Sequence, residues 1–230
     1  AVADPDSDLP HMLPTPEAFA RAIGAMGIGN DTCVVVYDTP GLMSAGRVWW
    51  TLRAFGHDRV SIMDGGLKKW QDEGRPLTAR TSRTRQAHFT PAVRPGLIAS
   101  REEVRRALSD GSAQVVDARP AARFTGAEAE ARPGLRSGHM PGARNLPFGL
   151  LSDPDTGMVL GPEGIRQRFA EAGIDPQRPV IASCGSGVTA AALAFGLHLI
   201  GSEAAVYDGA WAEWGRPGDT PVVTGPAGSG

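Results

Sequence analysis

The chain has 230 residues, 41% of them hydrophobic and 21% charged, a composition typical of a folded globular protein. Its 23 basic and 25 acidic residues leave a net charge of −2, which disfavours nucleic acid and membrane surfaces as partners. The two cysteines, Cys33 and Cys184, are too few for a disulfide framework or a thiolate metal site. We therefore expect no metal, no cofactor and a reducing, cytoplasmic location.

The first part of the chain alternates helix and strand signals. Pro16, preceded by Thr15, marks the start of a helix, because proline fits the first helical turn. Residues 34–37 and 60–63 are short apolar runs without polar alternation, which predict buried strands. The second strand leads through Asp-Gly into a short helix that ends in Trp70.

A connector rich in arginine and proline separates this part from the rest of the chain. It covers residues 80–96, and its composition is typical of a linker. We therefore expect a first domain over residues 1–79 and a second domain over residues 97–230.

The second domain begins with elements that have no counterpart in the first. Ser100 and Glu103 have the spacing of a capping box at the start of a helix over residues 100–109. A strand over residues 113–119 and a glycine-rich segment up to residue 150 follow.

The remainder of the second domain repeats the first. Residues 162–184 align with residues 16–38 without a gap, and residues 207–214 resemble residues 63–70. Alternating strands and helices predict an α/β fold, with a parallel sheet flanked by helices in each unit. Because the first unit lacks the opening elements of the second, we expect it to be truncated, with further residues before Ala1. Without them, the first unit would expose an apolar face.

Cys184 is the leading candidate for chemistry. It follows the predicted strand at residues 180–183 and precedes Gly185, Ser186 and Gly187 in a tight turn into a helix. Successive N–H groups converge at such a turn and stabilise an anion, here a nucleophilic thiolate. This pattern favours catalysis over a buried structural cysteine. At the equivalent position the first unit has Asp38, which cannot react in this way.

The same loop excludes one class of cysteine enzyme. Phosphatases of the C-x5-R type hold the phosphate dianion with the arginine that ends the motif. This chain has Ala190 at that position, so hydrolysis of phosphate monoesters is excluded.

Several motifs together resemble those of one family. They are CGSGVTA at residues 184–190, RFTG followed by a second arginine at Arg132, GHMPGA at 138–143, RVWWTLRAFGH at 47–57 and YDGAWAEW at 207–214. The chain resembles the two-domain rhodanese sulfurtransferases over roughly residues 9–214. The resemblance implies tandem rhodanese-like domains, the first incomplete, with the catalytic cysteine in the second. That cysteine takes a sulfane sulfur from a donor as a persulfide and passes it to cyanide or to a thiol such as thioredoxin or a small thiol.

The loop also implies the donor. C-G-[ST]-G-V-T is similar to the branch that uses 3-mercaptopyruvate and releases pyruvate, whereas the thiosulfate branch has two cationic residues after the cysteine. The resemblance implies that Cys184 and Ser186 are catalytic and that Arg123 and Arg132 bind the donor carboxylate, although both arginines could be surface residues. The other residues expected to bind substrate are Gly185, Gly187, Val188 and Thr189. Two alternatives stay open: a thiosulfate sulfurtransferase, and a non-catalytic sulfur-carrier or binding module.

Other residues are weaker candidates. His139 is expected to be structural, and Asp117 is expected to accept hydrogen bonds from loop N–H groups. Cys33 is expected to be an inert thiol. The resemblance also implies an Asp and a His that face the cleft from the first domain, and both are expected in the segment before Ala1. The five tryptophans, at positions 49, 50, 70, 211 and 214, are expected in the core.

Overall fold

Each half of the chain folds around its own parallel sheet in the computed structural model, which describes residues 2–80 and 84–228. The first unit contains α1 (Pro16–Ala25), β1 (Val34–Val36), α2 (Ala45–Ala54), β2 (Val60–Ile62) and α3 (Gly66–Asp72). Its two strands pair in parallel, with Val34 opposite Val60. The α/β fold expected from the sequence is confirmed.

The second unit has a five-stranded parallel sheet. Its strands are β3 (Ile98–Ala99), β4 (Gln114–Asp117), β5 (Arg144–Asn145), β6 (Val180–Ser183) and β7 (Ala204–Tyr207). Its helices are α4 (Arg101–Asp110), α5 (Ala121–Thr125), α6 (Pro162–Glu171), α7 (Ala190–Leu199) and α8 (Ala210–Trp214). The order is β3-β7-β6-β4-β5, so β6 is central and Cys184 follows it at the carboxyl edge, where α/β proteins build their sites.

Local capping explains where the predicted helices start. The Thr15 hydroxyl accepts a hydrogen bond from the N–H of Ala18 at 3.2 Å, with Pro16 in the first turn of α1. Ser100 caps α4, and its side chain and that of Glu103 form the expected capping box. The helix itself begins one residue later than predicted, at Arg101.

The two sheets differ in burial. Every residue of β6 is buried, whereas in the first unit Val35 is 63% exposed and Tyr37 57% exposed. The expectation of buried strands is therefore wrong for β1 and also for β2, in which Ser61 is exposed, while the expected apolar face of the first unit is present. Four of the tryptophans are buried, but Trp70 is only partly so. No helix in the described residues is long and apolar enough to cross a membrane.

The described part of the predicted linker packs along the first unit. Phe89 is buried, with its ring edge-on to Phe19 at 5.5 Å between centroids, and the N–H of Ala92 donates to the carbonyl of Phe55 at 2.9 Å. Residues 81–83 of this segment lie outside the described residues. Phe89 therefore belongs to the hydrophobic core of the first unit, whereas the other residues from 84 to 96 are exposed or only partly buried.

The two units meet through the helices that follow their equivalent loops. A methyl group added at Gly46 in α2 would lie 3.1 Å from the backbone nitrogen of Ala192 in α7, so the two helix backbones approach closely there. Arg53 of α2 also pairs with Glu203 of the second unit at 3.1 Å. This packing places the first turn of α2 beside the loop that contains Cys184.

Candidate active site

The loop after β6 is held in place by hydrogen bonds that its backbone carbonyl groups accept from another element. Cys184 is 2% exposed, and its carbonyl accepts a hydrogen bond from the N–H of Trp211 at 2.8 Å. The carbonyl of Gly185 accepts one from the N–H of Ala212 at 3.0 Å. The first N–H groups of α8, which have no partner inside their own helix, therefore anchor the loop.

The backbone N–H groups of the same loop are available to bind an anion. Among residues 2–80 and 84–228, no group accepts a hydrogen bond from the backbone N–H of residues 185–190. Gly187 has a left-handed φ of +75°, and a methyl group there would lie 2.9 Å from a nitrogen of Arg47 and 3.0 Å from the carbonyl oxygen of Asp208. Only glycine fits this turn. The loop thus provides several unpaired donors next to a buried sulfur.

The equivalent loop of the first unit already contains an anion. The Asp38 carboxylate accepts hydrogen bonds from the N–H groups of Gly41, Met43, Ser44 and Ala45 at 2.6 to 2.9 Å. The backbone carbonyl of Asp38 accepts a hydrogen bond from the N–H of Leu67 in α3, just as the carbonyl of Cys184 accepts one from the N–H of Trp211 in α8. A loop of this shape therefore binds an anion within this chain, and in the second unit it is Cys184 that stands where Asp38 does.

The side chains around the cysteine leave room for a substrate. The hydroxyl of Ser186 has no hydrogen-bond partner among the described residues, although the residue is largely buried. Apart from its two chain neighbours, no described residue has an atom within 4 Å of a methyl group built at Gly185, so the loop is open at this position. Val188 lines a neighbouring cavity of about 450 Å³ that Arg47 and His11 also border and that neither Cys184 nor Ser186 lines.

The two predicted carboxylate-binding arginines have different surroundings. Arg132 has no ion pair or hydrogen bond among the described residues, and its charge acts on the ring of His11. Arg123 lies in α5 and pairs with Glu128 at 3.3 Å on a partly exposed surface. Arg132 is therefore free to bind an anion, whereas Arg123 would first have to leave Glu128.

Two residues of the second unit that the sequence analysis set aside are structural in their placement. Asp117 accepts a hydrogen bond from the N–H of Arg119 at 2.9 Å, as expected. His139 is buried, stacks on the ring of Phe124 at 3.8 Å and lies within 2.9 Å of the carbonyl of Phe124 through Nδ1. Burial lowers the pKa of His139 below its ordinary value. No group of three or more metal-binding side chains occurs in the described part of the chain.

His11 is a candidate active-site residue that the sequence analysis missed. Its backbone has a left-handed φ of 65°, which is uncommon outside glycine, and its carbonyl accepts a hydrogen bond from Arg47. Partial burial lowers the pKa of the ring, and the positive charges of Arg132 and Arg47 lower it further. These effects favour the neutral form of the imidazole over the charged one. The available signal was the segment His-Met-Leu-Pro just before α1.

Comparison with known proteins fits this geometry. The family model described as "Rhodanese-like domain" matches residues 4–73 and 100–217, which is most of the chain. The chain belongs to the rhodanese family. The two matched segments correspond to the two units of the structure, and the second includes the loop after β6.

Three relatives show how far the similarity reaches. The human 3-mercaptopyruvate sulfurtransferase is 43% identical over 223 residues, which is 94% of this chain and 75% of the human protein. The mitochondrial thiosulfate/3-mercaptopyruvate sulfurtransferase 1 of Arabidopsis thaliana is 39% identical over 96% of this chain, which spans 64% of that protein. The crystal structure of SseA, a 3-mercaptopyruvate sulfurtransferase from Escherichia coli, superposes with a TM-score of 0.82 at 40% identity, covering 91% of this chain and 78% of SseA.

Proposed function

We propose that this protein is a sulfurtransferase that moves a sulfur atom from 3-mercaptopyruvate to a thiol acceptor through a persulfide on Cys184. The observation that carries this proposal is the contrast between the two loops. One has N–H groups bound to its own carboxylate, and the other has unpaired N–H groups beside a cysteine. The names of the relatives, at 39–43% identity, support the same reaction class.

In the first half-reaction the Cys184 thiolate attacks the sulfur of the donor. A bond forms between the two sulfurs, and the bond from that sulfur to C3 of the donor breaks. The electron pair of that bond passes to the carbon, giving the enolate of pyruvate, which takes up the proton released by the donor S–H group and becomes pyruvate. The negative charge of the persulfide left on Cys184 would be stabilised by the N–H groups of residues 185–190.

The donor has two polar ends besides its sulfur. Its carboxylate would bind the free guanidinium of Arg132 in a bidentate geometry, with Arg123 contributing if it leaves Glu128. The hydroxyl of Ser186, which has no hydrogen-bond partner among the described residues, would donate a hydrogen bond to the donor carbonyl or sulfur as the carbon–sulfur bond breaks. Gly185, Gly187, Val188 and Thr189 would act through their backbone.

In the second half-reaction a thiolate acceptor attacks the outer sulfur. The acceptor leaves as a persulfide, and the Cys184 thiolate is regenerated with no net oxidation or reduction. A small thiol, a protein thiol such as thioredoxin, or cyanide could each be the acceptor.

We expect the protein to work in a reducing compartment such as the cytoplasm, where thiols stay reduced. Both cysteines, Cys33 and Cys184, are free thiols in the structure.

Thiosulfate is the alternative donor. Its two negative oxygens need cations close to the sulfur, whereas the loop positions after Cys184 are Gly185 and Ser186, which have no charge. We therefore expect 3-mercaptopyruvate to be preferred. A non-catalytic carrier module would have no need for unpaired N–H groups around a cysteine.

Peptide mass spectrometry and initial rates test this proposal together. After incubation with 3-mercaptopyruvate, the peptide containing Cys184 should gain the mass of one sulfur atom, and the peptide containing Cys33 should gain none. Cys33 is an exposed thiol 3.0 Å from Arg59, so it is an internal control for unselective sulfur uptake. Initial rates should be higher with 3-mercaptopyruvate than with thiosulfate. Sulfur on Cys33 alone, or a preference for thiosulfate, would contradict the proposal.

A further inference from the structure

The catalytic loop of the second unit touches a side chain of the first unit. Arg47, near the start of α2, donates a hydrogen bond from Nη1 to the carbonyl of Gly187 at 3.2 Å. We propose that Arg47 is a positioning residue that fixes the loop N–H groups around Cys184, so that the first unit completes the active site of the second. This inference deepens the proposed function and rests on it.

A planar peptide explains how a carbonyl contact can position an N–H group. In a trans peptide the C=O of one residue and the N–H of the next point in opposite directions within one rigid plane. The contact at the carbonyl of Gly187 therefore orients the N–H of Val188. In the same way α8 orients the N–H groups of Gly185 and Ser186, through the carbonyls of Cys184 and Gly185. Arg47 is the third of these anchors.

The loop of the first unit has no such third anchor. The carbonyls of Asp38 and Thr39 accept hydrogen bonds from the N–H groups of Leu67 and Lys68, which match the two anchors from α8. The residue equivalent to Gly187 is Gly41, and its carbonyl accepts no hydrogen bond among the described residues. In that loop the Asp38 carboxylate itself orders the N–H groups. The loop of the second unit has no carboxylate, and there Arg47 orders the N–H groups.

Arg47 is itself rigidly held. Its guanidinium lies 2.7 Å from Oδ1 of Asp208, and the two side chains are only 11% and 6% exposed. It also stacks over the ring of Trp50 at 4.5 Å and donates to the carbonyl of His11. The other carboxylate oxygen of Asp208 accepts a hydrogen bond from the N–H of Leu13 at 2.8 Å. A planar fork with fixed partners on both units can transmit position, as a flexible ammonium group cannot.

Arg53 provides a matched control on the same helix. It also stacks over a tryptophan, Trp49 at 4.9 Å, and it also pairs with a carboxylate of the second unit, Glu203 at 3.1 Å. Among the described residues it makes no hydrogen bond or ion pair with the catalytic loop, since its partners lie at the far end of α2 and α7. A residue that only holds the two units together should therefore behave like Arg53.

The test measures alkylation of Cys184 by iodoacetamide as a function of pH, which requires no sulfur donor. Cys33→Ser is the parent, so that a single thiol remains, and Arg47→Met, Arg47→Lys and Arg53→Met are compared with it. For Arg47→Met we expect alkylation at neutral pH to be roughly tenfold slower, the size of one charged hydrogen bond, with its midpoint at higher pH. The turnover number should fall more than the KM rises. Arg47→Lys should recover only part of the rate, and Arg53→Met should match the parent.

Three results would overturn the inference. They are an unchanged alkylation profile in Arg47→Met, equal changes in Arg47→Met and Arg53→Met, or full recovery in Arg47→Lys, which would show that charge alone suffices. Thermal midpoints of all variants are recorded, and if Arg47→Met fails to fold, Arg47→Lys decides between a partial and a full effect. Failure of the proposed function is distinguishable, because then the parent would transfer no sulfur from either donor, whatever its alkylation profile.

Discussion

The loop after β1 and the loop after β6 have the same backbone design and different contents. In the first, the Asp38 carboxylate is bound by four backbone N–H groups, so the anion belongs to the protein. In the second, the N–H groups of residues 185–190 have no acceptor among the described residues, so the anion can belong to the reaction. A permanent charge stabilises the first loop, and its absence is what leaves the second loop free to react.

The largest effect is expected from making the second loop like the first. Cys184→Asp should abolish sulfur transfer completely, because the nucleophile is lost and the new carboxylate occupies the N–H groups. The free energy of unfolding should rise, since each charged hydrogen bond contributes about 1.5–3 kcal/mol before the cost of burial. Turnover assays and urea unfolding measure both effects.

Cys184→Ser is the control for that variant. It should be equally inactive and should show no gain in stability, because a hydroxyl brings no charge to the loop. If Cys184→Asp were no more stable than Cys184→Ser, the two loops would not be equivalent anion sites.

The reverse change removes the built-in negative charge from the first loop. Asp38→Asn removes the charge and turns an NH₂ group toward backbone donors, so several N–H groups lose their acceptor. We expect a loss of about 2–3 kcal/mol in the free energy of unfolding, with a much smaller change in the rate of sulfur transfer. Urea unfolding detects this, with Asp155→Asn on an exposed turn as the control. Equal stability of the two variants would argue against the role of Asp38 as a built-in anion.

Substrate binding sharpens the comparison further, because Arg132 has no ion pair or hydrogen bond in the part of the chain that the structure describes, whereas Arg123 pairs with Glu128. Arg132→Ala should raise the KM for 3-mercaptopyruvate about tenfold or more, since one charged hydrogen bond is lost. Arg123→Ala should have a smaller effect, because Arg123 already pairs with Glu128. Polysulfide, which has no carboxylate, serves as the control donor. Equal losses with both donors would assign the arginines to the fold.

The smallest expected effect concerns pH. The pKa values of His139 and His11 are lowered in the folded protein, first by burial in each case, so the unfolded chain takes up protons before the folded one does. The free energy of unfolding should therefore fall as the pH drops below about 6.5, the ordinary value for histidine. Urea unfolding at pH 7.5 and 5.5 measures how steeply the free energy of unfolding depends on pH. This slope should be shallower in His139→Gln. A slope identical to that of the wild type would remove His139 as its cause.

Much of the local structure was predictable because short-range patterns determine it. Pro16, the Ser100 and Glu103 capping box and the apolar run of β6 each specify an element through neighbours in sequence. The internal repeat also identified Asp38 as the counterpart of Cys184. The sequence did not predict the exposure of β1, because burial depends on what packs against a strand from elsewhere in the chain.

The sequence by itself determined the family to which the chain belongs and the glycine turn after β6, and it predicted Cys184 as the nucleophile that we propose. Only the tertiary structure decided which groups complete the site. Arg47 is 140 residues from Gly187 and in the other unit, and the two meet because α2 and α7 pack closely at Gly46. The positive charges of Arg132 and Arg47 both act on the ring of His11, whereas Arg123 is engaged by Glu128. Such partners follow from the three-dimensional packing of distant segments, which no local pattern of residues encodes.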